Sequence, residues 1–212
     1  MNDRNELQFS GKVTNVSEQQ YDEDNVKHIT FVTKDGHFFN ADLWNNHDPI
    51  EKNVSYTILG KVKQSTFEKD GKKINTYKFS IDRIEKNDTT ANNEKEINNI
   101  ILEGSVVRSI VKTVNSSIVN DITIANNYYT KNDASNGYDK RTNYFDVTVW
   151  GELKEQLRPG NQVVLSGRFV QDTWEYEGKK YTKFKVVADD FAINHEKEKE
   201  IKARKHQNDI EL

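Results

Sequence analysis

GRFVQDTWEYEGKKYTKFKVVADDF, residues 167–191, repeats GKVKQSTFEKDGKKINTYKFSIDRI, residues 60–84, and this repeat decides the fold. Gly60 aligns with Gly167, Phe67 with Trp174, Gly71-Lys72-Lys73 with Gly178-Lys179-Lys180, and Ile84 with Phe191, at one constant spacing. Upstream, FFNADLW (38–44) aligns with YFDVTVW (144–150), and LQFSGKV (7–13) resembles IILEGSV (100–106). A longer loop in the second copy accounts for the change of spacing between these blocks. Repeats of this length mark a tandem domain, because solenoid repeats run only roughly 20–50 residues.

Each copy reads as strands. HITFVTK, FFNADLW, SYTILGKV and TYKFSID in the first copy, and NDITIAN, YFDVTVW, QVVLSGRFV and TKFKVVA in the second, are rich in β-branched and aromatic residues. Asp70-Gly71 between two strands is a hairpin turn signal, and Glu177-Gly178 takes its place in the second copy. GELKEQLRPG (151–160) reads as a short helix between the third and fourth strands, ended by Pro159-Gly160. The order of five strands with a short helix after the third is that of an OB-fold barrel. The expected fold is therefore all-β, with two tandem OB-fold (five-stranded Greek-key) barrels, each with at most one short helix. The expected boundaries are 1–86 for a divergent N-terminal barrel, 87–98 for a polar linker, 99–194 for the C-terminal barrel and 195–212 for a charged helical or disordered tail.

Composition narrows the function. The 212 residues include no Cys, which excludes a disulfide framework, Cys-ligated zinc and a Cys nucleophile. The five His are scattered, so no metal site and no cofactor is expected. There is no P-loop and no GxSxG, and the paired carboxylates Asp189-Asp190 and Asp22-Glu23-Asp24 read as solubilising charges, so an enzyme is not expected. No apolar run approaches the roughly 18 residues of a membrane span, and no signal peptide opens the chain, so a cytoplasmic protein is expected. Hydrophobic content is only 34%, yet there are nine Tyr, ten Phe and three Trp, and the net charge is −3.

Strand alternation shows where those rings point. In residues 144–150, Phe145, Val147 and Val149 take the inner face, leaving Tyr144, Asp146, Thr148 and Trp150 outside. The first copy repeats this, with Phe39, Ala41 and Leu43 inside and Phe38, Asn40, Asp42 and Trp44 outside. In the following hairpin, Val163, Leu165, Gly167 and Phe169 face in, and Arg168, Val170, Asp172, Trp174 and Tyr176 face out. On the returning strand Phe184, Val186 and Ala188 face in, while Tyr181, Lys183 and Lys185 face out, with Lys179 and Lys180 at the tip. The first copy offers Lys61, Lys63, Phe67 and Lys78 outside, with Lys72 and Lys73 at the tip. The segment before Tyr144 adds Tyr128, Tyr129, Tyr138, Lys131, Lys140 and Arg141. Outward rings bordered by cations are a platform for single-stranded nucleic acid: bases stack on the rings, at about 1–3 kcal/mol each, and cations follow the phosphates. The bland alternative is that a loop, a dimer mate or the other copy covers the rings.

On NIILEGSVV, DITIAN, TNYFDVTVWGELKEQL, RPGNQVVLSGRF and WEYEGKKYTKFKVVADDF, residues 98–194 resemble the bacterial-type single-stranded DNA-binding proteins. Residues 6–86 resemble them mainly through the second copy. The resemblance places stacking aromatics at Tyr144, Trp150 and Trp174, with Tyr128 or Tyr129 a looser match. It places counterparts at Phe38, Trp44 and Phe67. It implies non-sequence-specific binding of single-stranded DNA in replication, recombination or repair, and a homodimer supplying four OB folds. It also implies a nucleoid-associated location. The alternative is a tandem OB-fold assembly protein, or an RNA-binding protein without a single-stranded DNA-protecting role. Family tails end in an acidic stretch followed by Pro-Phe. This one ends Asp209-Ile210-Glu211-Leu212, which puts recruitment of repair enzymes through the tail in doubt.

Overall fold

A computed structural model describes residues 2–69, 71–87, 96–132, 137–176 and 178–201; within its strands, the side chains of residues 66, 67, 69, 72–75, 176 and 179–181 fall outside the description. Ten strands follow in order: β1 (Asn5–Tyr21), β2 (Asp24–Val32), β3 (Phe38–Trp44), β4 (Ser55–Lys69), β5 (Lys72–Lys86), β6 (Asn98–Val114), β7 (Ser117–Asn132), β8 (Gly137–Trp150), β9 (Gln162–Tyr176) and β10 (Lys179–Ile193). In the first copy the order β2-β3-β5-β4-β1 is closed by β1–β2. In the second, β6-β7-β8-β10-β9 is closed by β6–β9. Closure removes the free edges, and the parallel step comes at the same place in both, β3–β5 and β8–β10. Both copies are thus five-stranded OB-type barrels.

Barrels this small need sharply curved strands, and bulges supply the bend. The register of β1 shifts between Val13 and Asn15, and that of β6 shifts at the equivalent place, between Val106 and Arg108. At the two expected hairpin turns, Gly71 has φ +72° and Gly178 φ +70°, a conformation glycine adopts without steric cost, while Asp70 and Glu177 lie outside the described residues. The expected helix over 151–160 does not form. Those residues are bends and turns, bounded by left-handed φ values at Gly151 and Gly160 that interrupt the helical path at each end. Leu153 and Leu157 still sit half-buried. Among the described residues, a helix is found at 195–201.

The described residues divide into two compact units. One contains 5–87 and 96–100 together with Gln171–Phe184. Its core is aromatic: Phe9 contacts Phe31, Phe39 and Phe79 at centroid distances of 6.1, 5.0 and 5.1 Å. The Phe184 ring packs 5.8 Å from Phe39 and 6.3 Å from Tyr77, and the Phe38 N–H donates to Gln171 Oε1 at 3.3 Å. Sequence alternation places Phe184 in the interior; it is half-buried against these two rings.

The other unit contains 2–4, 101–170 and 185–201. Its core is Leu102, Val106, Ile122, Ile124, Phe145, Val147, Val163, Leu165, Phe169 and Val186. Asp3 near the start of the described residues and Lys197 near their end are both fastened to it. The Asp3 N–H donates to the Asn127 carbonyl at 2.8 Å, and Asp3 Oδ2 accepts from the Asn127 N–H at 2.7 Å. Lys197 Nζ, on the 195–201 helix, reaches Asp3 Oδ1 at 2.7 Å and Glu103 Oε2 at 2.8 Å. Burial would lower the Lys197 pKa, but these two carboxylates outweigh it and hold the ammonium above its usual value. Its contribution to stability is fully present below the ordinary lysine pKa and is lost as pH rises through the raised one. Replacing Lys197→Met leaves two carboxylates facing each other. We expect a loss of about 1–2 kcal/mol, allowing for partial exposure. Thermal melting at neutral pH checks this, with faster amide exchange at Asp3 as the local signature.

Candidate nucleic-acid interface

The outer face of β6–β7–β8 is built in rows by strand register. Lys112 pairs with Val119, which pairs with Trp150. Ile110 pairs with Asp121, then Thr148. Arg108 pairs with Thr123, then Asp146. Tyr144 lies across from Ala125, and further along the same face Tyr129 pairs with Lys140 and Lys131 with Tyr138. Directly opposed residues of an antiparallel pair share a face, so these side chains form one surface. Trp150 is 56% exposed and Tyr144 47%, so both rings stand open to solvent.

The inner set matches alternation: Phe145, Val147 and Val149 are buried. Thr148 departs from it. It is on the outer face yet buried, because its Oγ1 donates to Asp121 Oδ1 at 3.2 Å within a polar cluster that also holds Lys112. Burial tends to raise the Asp121 pKa, but the Lys112 ammonium, the Thr148 hydroxyl and the nearby Lys185 outweigh it, and the carboxyl is held below its usual value. Asp146 is fixed in turn by the Thr123 hydroxyl at 3.1 Å. These bonds order the floor between the two rings, and the Lys112 ammonium offsets the Asp121 charge.

The β2–β3 face repeats the plan. Trp44 pairs with Val26, Asp42 with His28, Asn40 with Thr30 and Phe38 with Val32. Phe38 is 54% exposed and Trp44 46%, while Phe39, Ala41 and Leu43 are buried. Asp42 is held by His28 Nδ1 at 2.6 Å and Lys78 Nζ at 3.1 Å.

The remaining expected residues are distributed differently. Trp174, exposed, and Lys183 fall in the compact unit that contains the N-terminal barrel, whereas Tyr144, Trp150, Arg168 and Lys185 fall in the other. Tyr128 and Arg141 are cross-strand partners on the face opposite Tyr129. Arg168, Lys61 and Arg141 are exposed and only loosely paired, with Asp189 at 3.5 Å, Asp82 at 3.6 Å and Asp139 at 3.4 Å. Such pairs are worth little and yield readily to a phosphate. Lys63 is exposed on β4. The side chains of Phe67, Lys72, Lys73, Tyr176, Lys179 and Lys180 lie outside the described residues, as does the tip Asp209–Leu212.

Three outer-face residues escape the sequence reading: Arg108, Ile110 and Lys112, all exposed on β6. Tyr21, whose ring lies 6.0 Å from that of Trp44, is a fourth. No residue pattern marks the bulges that turn these strands outward, so the strand register is what places them on the outer faces.

Residues 97–194 match the model of the single-strand binding protein family. A single-stranded DNA-binding protein of Aquifex aeolicus (strain VF5) is 32% identical over 93 residues, covering 41% of this chain and 62% of that relative. The chain therefore spans less than two thirds of that relative's length. The crystal structure of the wild-type single-stranded DNA binding protein from Thermus aquaticus matches with a TM-score of 0.67 at 17% identity, over 91% of this chain and 94% of that one. A deletion mutant of the same protein matches at 18% identity over 91% of this chain and 95% of its own, with a TM-score of 0.67. At such identities the likeness is one of fold, and it extends across both copies. By its family match at 97–194 and by its fold, the chain is similar to the bacterial single-stranded DNA-binding proteins.

Proposed function

We propose that this protein binds single-stranded DNA without sequence specificity, as a binding protein and not an enzyme. The observation that carries the reading is the β6–β7–β8 face, where Trp150 and Tyr144 stand exposed on either side of a hydrogen-bonded floor. Rings held about half open can each take the face of a base, and every base has such a face, so stacking is indifferent to sequence. Arg108, Lys112 and Lys140 on this face, with Lys185 on the adjoining β10, supply phosphate contacts. Trp174, Lys183, Arg168, Phe38, Trp44, Lys61 and Lys63 extend the same chemistry along the hairpins and the N-terminal barrel, together with Tyr128, Tyr129, Arg141, Phe67, Tyr176 and the tip lysines. A net charge of −3 is compatible with this, because local cations and not the total set the field over a face.

The role we assign is protection of exposed strands in replication, recombination or repair, in the cytoplasm at the nucleoid, by a homodimer carrying four barrels. The described residues include no helix long and apolar enough to cross a membrane. Titration with oligo-dT should quench tryptophan fluorescence, and log Kd should rise with log salt by about 0.7 per phosphate neutralised. Poly-dC or mixed sequence should bind within about tenfold of oligo-dT. Unchanged emission and no shift of a labelled oligonucleotide at low salt would sink the reading. Tighter binding to the matching RNA would move it to RNA.

A further inference from the structure

The two barrels carry the same three rows on their outer faces, so the residues can be compared place by place. Asn15 stands across from Thr30 and Asn40, Ser17 across from His28 and Asp42, and Gln19 across from Val26 and Trp44. In the other barrel these places belong to Arg108, Ile110 and Lys112, before the rows end in Asp146, Thr148 and Trp150. The bulges coincide as well, at Val13/Asn15 and Val106/Arg108, so the equivalence is one of geometry and not only of sequence spacing. All six side chains are exposed. The first strand of the N-terminal barrel thus offers three neutral polar groups, with the Lys52 ammonium donating to Asn15 Oδ1 at 3.1 Å, where the C-terminal barrel offers two cations and an isoleucine of its own.

The N-terminal face has something else in their place. Tyr21, at the end of β1, is 45% exposed and its ring lies 6.0 Å from that of Trp44, tilted by 33°. Both rings remain about half open, so the pair presents a continuous aromatic edge broader than either ring alone. The carboxylate on this face, Asp42, is held by His28 and Lys78, much as Asp121 on the other face is held by Lys112 and Thr148, so the difference between the faces lies in the residues of the first strand.

We infer that the two faces divide the recognition of single-stranded DNA. The β6–β7–β8 face draws in phosphates through Arg108 and Lys112 of its first strand, and the β1–β2–β3 face, whose first strand carries no cation at those places, takes bases chiefly by stacking on the Tyr21–Trp44 pair. The inference rests on the single-stranded DNA reading above and adds Arg108, Lys112 and Tyr21 to it. Its physical consequence is a difference in salt response. Contacts that release counterions from phosphates weaken as salt rises, whereas stacking does not.

The test measures Kd of the full chain for fluorescein-labelled oligo-dT over a range of sodium chloride concentrations. Arg108→Gln/Lys112→Gln should flatten the slope of log Kd against log salt by about 1.4, at about 0.7 per phosphate contact on a single strand. Tyr21→Ala should weaken binding by about fivefold or more, the lower end of one lost stack, and leave the slope unchanged. Asn15→Arg/Gln19→Lys should steepen the slope towards that of two charged faces. All five positions are exposed, so melting temperatures should stay near that of the wild type. An unchanged slope in the Arg108/Lys112 variant, or a Tyr21→Ala affinity within twofold of wild type, overturns the division while wild-type binding stands. No binding by the wild type overturns the single-stranded DNA reading itself.

Discussion

Replacing Trp150 and Tyr144 together by alanine should raise the Kd for oligo-dT by at least about 30-fold while leaving the barrel folded. Each ring is worth about 1–3 kcal/mol if a base stacks on it, so the pair is worth about 2–6 kcal/mol. A loss of 2 kcal/mol already corresponds to roughly 30-fold in Kd. Stability should barely move, because both rings are about half exposed and the core beneath them is Phe145, Val147 and Val149. Melting of the double variant within a few degrees of wild type, together with retained binding by Trp150→Phe, assigns the loss to stacking and not to collapse of the face. If the double variant binds within threefold of wild type, the β6–β7–β8 face is not the platform. The salt slope of the double variant should stay close to that of wild type, because stacking releases few counterions.

Much of this face is legible in the sequence because alternation along a strand is a strict period of two. FFNADLW and YFDVTVW contain no bulge, so counting assigns Phe38, Trp44, Tyr144 and Trp150 to the outside, and exposure agrees. The same counting fails on the first strand of each barrel. Val106 is buried, and a period of two puts Arg108 inside with it; the bulge between them inserts one residue and turns Arg108, Ile110 and Lys112 outward. Tyr21 is lost in the same way beyond the bulge at Val13/Asn15. A bulge has no residue signature strong enough to read unaided, so these positions need the register itself. GELKEQLRPG illustrates a different limit. Its Leu153 and Leu157 have helical spacing and are half-buried as a helix would have them, but the glycine at each end takes a left-handed φ and the segment settles into turns. Membership of 171–184 in the compact unit of the N-terminal barrel was beyond reach for a third reason. It depends on Phe184 meeting Phe39 and Tyr77, residues more than a hundred positions away, and no local pattern encodes such a meeting.

The glycines that anchor the repeat should prove the most sensitive positions for stability. A Cβ on Gly167 would lie 2.2 Å from the Val187 carbonyl oxygen and 2.8 Å from the Ala188 Cα. On Gly60 it would lie 2.1 Å from the Ser80 carbonyl oxygen. These neighbours are backbone atoms of the adjacent strand, so no side-chain rotation relieves the clash. The strands must move apart, and in a closed barrel that strains the whole ring of hydrogen bonds. We expect Gly167→Ala to cost about 3 kcal/mol and Gly60→Ala a similar amount, at or beyond the upper end of ordinary overpacking. In a chain of this length that is a drop in melting temperature of about 6 °C or more. Gly178→Ala makes the contrast: its site is open and only its φ of +70° resists a side chain, so about 1 kcal/mol is expected. Melting of Gly167→Ala within 1 °C of wild type would show that β9 and β10 separate freely there. The expected ranking, with Gly167 and Gly60 far above Gly178, explains why the glycine that opens each hairpin recurs at the same place in both copies while the charges around it have drifted. Close approach of β4 to β5 and of β9 to β10 is what these glycines permit, because any Cβ there would run into the backbone of the partner strand.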